Sequence, residues 1–222
     1  MKLLIVADIH AFQGSRQSSP SLVNFSDADR TSASDPLLGL RKLFQEDEIK
    51  VPDILLCAGD LADRADPLAL KSAWSELYSI QKDFNIPDFV ATCGNHDLDS
   101  RCTENRFDPK GYLRKLSPSF PLPGFNKNDV EQLKYWSNNF SIVEGKDWRI
   151  LTINSCAYHG YGQEAQPELE HGRISDHTLE EIRSEIKALD GHMKEKFNIC
   201  LVHHHLREMR TDSYADLSRM QG

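Results

Sequence analysis

The chain has 222 residues, of which 39% are hydrophobic and 27% are charged, as expected for a globular protein that buries a sizeable core. Its formal net charge of −8 argues against general attraction to nucleic acid, although it allows a site that handles one phosphate. No apolar run approaches the ~20 residues that a membrane-spanning helix needs, and the five cysteines stand singly, which indicates reduced thiols in a cytoplasmic protein.

The first hundred residues alternate between apolar runs and amphipathic segments. Apolar runs at 2–8, 52–60 and 87–97 predict strands, and the first of them is typical of a strand buried on both faces. The segments 36–49 and 66–84 place apolar residues at near-helical spacing behind an early proline, which predicts two helices. This alternation predicts a layered α/β fold with parallel neighbouring strands.

The rest of the chain shows weaker patterns. Residues 13–35 are rich in serine and aspartate and predict a loop after the first strand. Apolar periodicity in the second half predicts helices at 129–140 and 175–189 and strands at 140–145, 148–156 and 197–205. The stretches 156–162 and 168–175, which contain His159 and His171, are expected to be solvated loops, with lining of a substrate cleft as the alternative.

Four of the predicted strands end in polar residues that can hold a ligand. In chain order these are Asp8 and His10; Asp60 and Asp63 after Gly59; Asn95, His96 and Asp97 after Gly94; and His203 to His205. Ligand sites of open α/β sheets lie beyond the carboxyl ends of the strands, so we expect the four groups to meet in space. Each group alone is common by chance, whereas all four groups in this order, each at the end of a strand, rarely occur together by chance.

The donor types indicate which ligand these groups would hold. Carboxylate and amide oxygens together with imidazole nitrogens suit divalent manganese, iron, cobalt or zinc. Asp8 and His10 are two residues apart, so on an extended segment both side chains would point to one side and reach one ion. An aspartate of the neighbouring strand could bridge a second ion. Two metals ~3.5–4 Å apart can activate a bridging hydroxide and brace an in-line displacement at phosphorus.

These motifs also resemble those of a known family. Asp8-x-His10, Gly59-Asp60-x-x-Asp63, Gly94-Asn95-His96-Asp97 and His203 are similar, in this order, to the first four motifs of the calcineurin-like metallophosphoesterase superfamily. The Gly-Asn-His-Asp stretch is the most specific part of the match. The resemblance implies a layered metallophosphoesterase fold, a β-sandwich flanked by helices (αββα), and a hydrolase with two divalent metal ions.

The resemblance assigns metal ligands by position. Asp8 and His10 would hold the first ion, Asp60 would bridge both ions, and Asn95 and His203 would hold the second. His203 is preferred over the two histidines that follow it, because the family generally uses the first histidine after the strand. The residues themselves leave that choice open.

Three further residues receive roles in catalysis. His96 would sit near the scissile bond, where it would protonate the leaving oxygen or stabilise charge on the phosphate. Asp63 would orient His96 through a hydrogen bond, as in the phosphoprotein phosphatases of the superfamily. Arg64 would touch the substrate phosphate, although a solvated surface arginine is the favoured interpretation.

One family motif has no counterpart in the sequence. The family closes its site with Gly-His-x-His, and the only Gly-His here, at Gly191, continues with Met193 and precedes the fourth motif. We therefore expect residues 1–222 to be a metallophosphoesterase domain that lacks its C-terminal part, with the fifth motif in further sequence of the same protein, because four intact motifs would be odd in a decayed enzyme. The alternative is a complete chain that has lost part of its site.

The expected activity is a metal-dependent phosphodiesterase that acts with a bridging hydroxide. The general resemblance is closer to bacterial cyclic-nucleotide phosphodiesterases than to the eukaryotic phosphatases, because residues 59–66 lack the aromatic and the glycine of the phosphatase signature. The expected partner is a phosphate ester, including nucleotides, rather than a membrane or a nucleic acid. The alternatives are a nuclease, a phosphoprotein phosphatase or a non-catalytic binding module that keeps the fold.

Overall fold

The computed structural model describes residues 1–14, 23–123, 129–160, 171–189 and 196–205. The first half forms a parallel sheet of β1 (Leu3–Val6), β2 (Ile54–Cys57) and β3 (Asp88–Ala91), with β2 in the centre. All four residues of β2 are buried. Within the described part of the chain β1 pairs only with β2 and its Ile5 is 63% exposed, so the predicted burial of the first strand on both faces is wrong.

Two helices cover one face of this sheet, α1 (Pro36–Gln45) and α2 (Pro67–Asp83). Each begins with a proline behind an aspartate cap. The Asp35 carboxylate accepts hydrogen bonds from the backbone N–H groups at the start of α1, and Asp66 does the same for α2. Both helices end earlier than the sequence predicts, α1 by four residues. The apolar sides of α1 and α2 join β2 and β3 in one large core cluster.

The second half forms a mixed sheet of β4 (Phe140–Glu144), β5 (Trp148–Ile153) and β6 (Phe197–Leu201). Strands β4 and β5 are antiparallel, whereas β5 and β6 are parallel. Before this sheet the chain forms α3 (Gly111–Arg114), which the sequence analysis did not predict, and α4 (Asp129–Ser137). Helix α5 (Asp176–Ala188) begins at the predicted cap Ser175 and packs on the outer face of the sheet.

The two sheets pack face to face. The apolar cluster between them takes Leu56 and Val90 from the first sheet and Val143, Ile150 and Leu201 from the second. Helices α1 and α2 cover the outer face of the first sheet, and α5 covers the outer face of the second. The order of layers is therefore helix, sheet, sheet, helix. The predicted αββα architecture is therefore confirmed, and it places the carboxyl ends of β1, β2, β3 and β6 at one rim.

Candidate metal centre

The loops that follow β1 and β2 run side by side beyond the strands. Asp8 N donates to Gly59 O at 3.0 Å and His10 N donates to Asp60 O at 2.9 Å, so the parallel pairing continues into the loops. The backbone there is not extended, contrary to the prediction from the spacing of Asp8 and His10. Asp8, His10 and Asp60 have φ values of 55°, 45° and 54°. Left-handed backbone costs a non-glycine residue roughly 1–3 kcal/mol and is concentrated at functional sites.

Two glycines let the second and third loops approach each other closely. Gly59 has a φ of 99°, and a Cβ there would lie 2.3 Å from the backbone nitrogen of Gly94. A Cβ on Gly94 would lie 2.0 Å from Oδ1 of Asp60. Any side chain at either position would separate the two loops. The glycines of the Gly-Asp and Gly-Asn-His-Asp motifs are thus required by the packing of the loops.

Asp97 fastens these two loops together. Its side chain is buried and accepts backbone N–H groups from Asp60 at 2.9 Å, Ala62 at 3.0 Å and Gly94 at 2.9 Å. Burial raises the pKa of the Asp97 carboxyl to about 7, and the charge of Asp60 adds to this shift. This role of Asp97 was not predicted from the sequence. Its position as the last residue of Gly-Asn-His-Asp was the available signal.

Asp60 lies at the centre of the site, and its two carboxylate oxygens have different partners. Oδ1 accepts the backbone N–H of His96 at 2.8 Å. Oδ2 lies 3.5 Å from Nε2 of His10 and 3.6 Å from Nε2 of His203. The side chain is almost fully buried. One oxygen is thus fixed by the protein, and the other lies between two imidazole rings.

His203 is the histidine of the late triplet that reaches this point. Its Nδ1 donates to the backbone carbonyl of Ala58 at 2.8 Å, which leaves the lone pair of the neutral ring on Nε2. That Nε2 lies 3.2 Å from Oδ1 of Asn95. His204 is buried instead beside Ser155, with 2.9 Å between its Nδ1 and the serine Oγ, and His205 is exposed. The structure thus brings His203, Asn95 and Asp60 together.

Asp8 and His10 form the other side of the site. Oδ1 of Asp8 lies 3.8 Å from Nε2 of His10. This pairing lowers the pKa of the Asp8 carboxyl and raises the pKa of the His10 ring. The Asp8 side chain is largely exposed, whereas that of His10 is only 18% exposed. Asp8 therefore faces the solvent side of the site and Asp60 the protein side.

The predicted catalytic residues lie next to the predicted ligands. Nδ1 of His96 is 3.1 Å from Oδ1 of Asp63, and the His96 ring meets the His10 ring edge to face at a centroid distance of 4.7 Å. Ala65 N donates to the backbone carbonyl of His96 at 2.7 Å, which fastens the two loops a second time. The Arg64 side chain is exposed and its backbone is left-handed, with a φ of 51°.

The donor groups fit divalent metal ions. One donor atom each from Asp8, His10 and Asp60 all lie within 4.8 Å of one another, and the same holds for His10, Asp63 and His96. Metal–ligand bonds of ~2.0–2.2 Å place neighbouring ligands of one ion ~3–3.6 Å apart, close to the 3.5 and 3.6 Å that separate Oδ2 of Asp60 from the two imidazoles. Oxygen and imidazole donors without a thiolate suit manganese, iron, cobalt or zinc.

Two packed sheets between helices, with Asp, His and Asn donors meeting at one rim, define a metal-dependent phosphoesterase. The family model of calcineurin-like phosphoesterases matches residues 1–218. The chain belongs to this family and is a metal-dependent hydrolase of phosphate esters. No curated protein matches the sequence. In the part of the chain that the structure describes, no helix combines the length and the apolar character needed to cross a bilayer.

One loop differs from its prediction. The residues at the exit of β5 are buried rather than solvated: Cys156 and His159 have no exposed surface, and Ala157 has little. His159 Nε2 donates to the backbone carbonyl of His171 at 2.8 Å. This burial was not predicted, because a short stretch that mixes serine, cysteine, alanine and histidine carries no periodicity. Residues 161–170 lie outside the described residues.

Proposed function

We propose that the chain is a dinuclear phosphodiesterase. Asp8, His10 and Asp60 would hold one divalent ion, and Asp60, Asn95 and His203 would hold the second. The observation that supports this best is the position of Asp60 Oδ2, which is 3.5 Å from the His10 imidazole and 3.6 Å from that of His203. A carboxylate oxygen between two separate imidazoles is suited to bridging two ions. When bound, the ions would supply an activated water and neutralise charge on the phosphate.

The residues of the chain have distinct tasks in this proposal. The hydrogen bond from His203 Nδ1 to Ala58 fixes the tautomer in which Nε2 is the ligand. Asp63, whose Oδ1 lies 3.1 Å from His96 Nδ1, orients the ring. The protonated ring gives its Nε2 proton to the departing ester oxygen, which is the general-acid step. The exposed Arg64 is placed to meet solvent or substrate phosphate.

The proposal also covers the identity of the ions, the substrate class and the cellular location. Manganese, iron, zinc or cobalt suits the donors, and the substrate is a phosphodiester, with nucleotides as the first class to test. The Gly-His-x-His motif, which supplies one ligand to each ion in the family, has no counterpart in residues 1–222. A cytoplasmic location agrees with the five free cysteines.

The test compares hydrolysis of bis(p-nitrophenyl) phosphate and p-nitrophenyl phosphate by the Mn²⁺-loaded chain, alone and extended at its C-terminus. The proposal expects faster turnover of the diester and its loss in Asn95→Ala. Asn198→Ala is the matched control, because Asn198 is an exposed residue of β6 whose amide donates to the carbonyl of Lys196.

Three outcomes would contradict parts of the proposal. Preference for the monoester would make the chain a phosphomonoesterase. Turnover that survives Asn95→Ala would remove Asn95 from the ligands. Binding of Mn²⁺ without turnover in the extended chain would indicate a non-catalytic module.

A further inference from the structure

A second cluster of metal-binding side chains lies behind the candidate metal centre. Cys156, His159 and His204 each offer a donor atom, and these three atoms lie within 4.8 Å of one another. Cys156 and His159 have no exposed surface and His204 is 5% exposed. None of the three has a role in the proposed phosphodiesterase. The cluster joins the exit of β5 to the exit of β6, next to His203.

Hydrogen bonds orient both rings of this cluster. His159 Nε2 faces the carbonyl of His171 at 2.8 Å, and because a carbonyl only accepts, Nε2 carries the proton and Nδ1 the lone pair. His204 Nδ1 lies 2.9 Å from Oγ of Ser155. When Nδ1 donates to this hydroxyl, the lone pair of His204 is on Nε2. A metal-ligating histidine typically donates its other ring nitrogen to a carbonyl or hydroxyl in this way.

His204 is incompletely satisfied by the protein. Its Nε2 is buried and has no hydrogen-bond partner among the described residues. A buried polar atom left unpaired is uncommon in native proteins and asks for an explanation such as a bound ion. Cys156 Sγ comes within 3.8 Å of the same ring, at Nδ1. That nitrogen is the one that faces Ser155, and the unpaired Nε2 is the other nitrogen of the ring. One donor atom each of the thiol and the two imidazoles lie within 4.8 Å of one another in this enclosed place.

The cluster is sealed from outside by the segment that precedes α5. A Cβ on Gly172 would lie 2.6 Å from the Cβ of His204 and 2.8 Å from its Nδ1, so only glycine allows this segment to lie flat on the ring. Arg173 N donates to the carbonyl of Ser155 at 2.9 Å and holds the segment in place. An ion in this place would be shielded from solvent, as structural ions are.

We propose that Cys156, His159 and His204 bind one structural Zn²⁺ ion, separate from the ions of the phosphoesterase site. A thiolate with two imidazoles is a soft donor set, unlike the oxygen-rich set around Asp60, and Zn²⁺ accepts it in tetrahedral geometry with a fourth ligand from a hydroxyl or water. The Cys156 thiol loses its proton to solvent as the ion binds. The ion ties the exits of β5 and β6 together and so braces His203, the neighbour of His204.

The thiolate makes this ion distinguishable by spectroscopy from ions at Asp60. A chain with Cys102→Ser and Cys200→Ser, which removes the two cysteines that are not fully buried, is refolded with Co²⁺. We expect one equivalent of Co²⁺ to give a thiolate-to-cobalt charge-transfer absorption band. Cys156→Ser should abolish the band. Asp60→Asn should leave it intact, because the phosphoesterase site has no sulfur ligand, so the result is independent of the proposed function.

A second variant keeps the test decisive if Cys156→Ser does not fold, as judged by circular dichroism. His159→Gln retains the thiolate, and we expect its visible Co²⁺ bands to shift and its Co²⁺ affinity to fall at least tenfold, because loss of even an outer partner of a metal ligand typically costs ~10–100-fold in affinity. The proposal is overturned if the folded parent chain shows no thiolate band at saturating Co²⁺. It is also overturned if the band persists unchanged in Cys156→Ser or in His159→Gln.

Discussion

Replacement of Asp97 by alanine is expected to loosen the candidate metal centre without touching a ligand. The carboxylate accepts three backbone N–H groups, from Asp60, Ala62 and Gly94, all in buried surroundings. Each buried donor left unpaired costs ~1–3 kcal/mol, so loss of all three bonds in Asp97→Ala should lower the free energy of unfolding by roughly 3–9 kcal/mol. The buried charge is itself unfavourable, which places the expected value near the lower end of this range.

Asparagine at position 97 provides a graded comparison. Its amide oxygen can replace Oδ2, which serves Asp60 and Gly94, whereas its NH₂ group then faces the N–H of Ala62. Loss of this one hydrogen bond, from Ala62, should lower the free energy of unfolding by ~1–3 kcal/mol. Unfolding by guanidinium chloride measures both costs, and a loss of ~4 kcal/mol should move the midpoint by roughly 1 M.

The same variants should bind Mn²⁺ more weakly, because the Asp60 backbone loses its anchor. Asp99→Ala is the matched control. Asp99 is also buried and accepts N–H groups from Thr103, Glu104 and Asn105, but it fastens a loop beyond the site. We expect Asp99→Ala to be destabilised with unchanged Mn²⁺ affinity by calorimetry. Wild-type midpoint and wild-type Mn²⁺ affinity in Asp97→Ala would refute the role of Asp97 as a clamp.

Three further predictions follow from single residues. Gly94→Ala puts a methyl 2.0 Å from Oδ1 of Asp60. We therefore expect the free energy of unfolding to fall by ~1–3 kcal/mol and Mn²⁺ to bind more weakly by calorimetry. Wild-type values for both would show that the loops separate freely. His96→Asn should lower kcat ~10²–10⁴-fold in steady-state assays while metal content stays unchanged, as expected for loss of a general acid; loss of metal would make His96 a ligand. Burial raises the pKa of the half-buried Asp88 carboxyl. Its charged form therefore weakens the folded state as the pH rises above the pKa that this carboxyl has in the unfolded chain. Asp88→Asn should therefore raise the thermal midpoint at pH 7 and not near pH ~3, where both states of the wild type are protonated; an equal gain at both pH values would contradict this reasoning.

The sequence predicted the parts of the fold that periodicity and order encode. Apolar runs that end in Asp8, Asp60 and Asn95 indicated both the strands and the rim where their side chains meet, because polar residues after a buried strand have few other uses. The short helix α3 and the edge position of β1 were not predictable in this way. Neither depends on a repeated pattern; the exposure of Ile5 follows from which strands lie beside β1.

The candidate site was predicted by residue type but not by backbone. Spacing suggested that Asp8 and His10 share one side of an extended segment, whereas both are left-handed. That conformation depends on hydrogen bonds from Asp8 and His10 to the loop after β2, which are long-range in sequence. The clamp at Asp97 and the buried cluster at Cys156 were missed for the same reason, since each depends on segments that meet only in the folded chain.

The site residues share one design that explains why so many long-range contacts surround them. Asp60 gives Oδ1 to the His96 backbone and keeps Oδ2 for the site. His203 uses Nδ1 for the hydrogen bond to the Ala58 carbonyl, which leaves its Nε2 for another partner. His96 likewise pairs Nδ1 with Asp63, which leaves its own Nε2 for another partner. Because one atom of each group is fixed by the protein, the other is held in place with little freedom, and less entropy is lost when an ion or a phosphate binds. The left-handed backbone at Asp60 is held in the same way, because its N–H donates to Asp97 and its carbonyl accepts the N–H of His10.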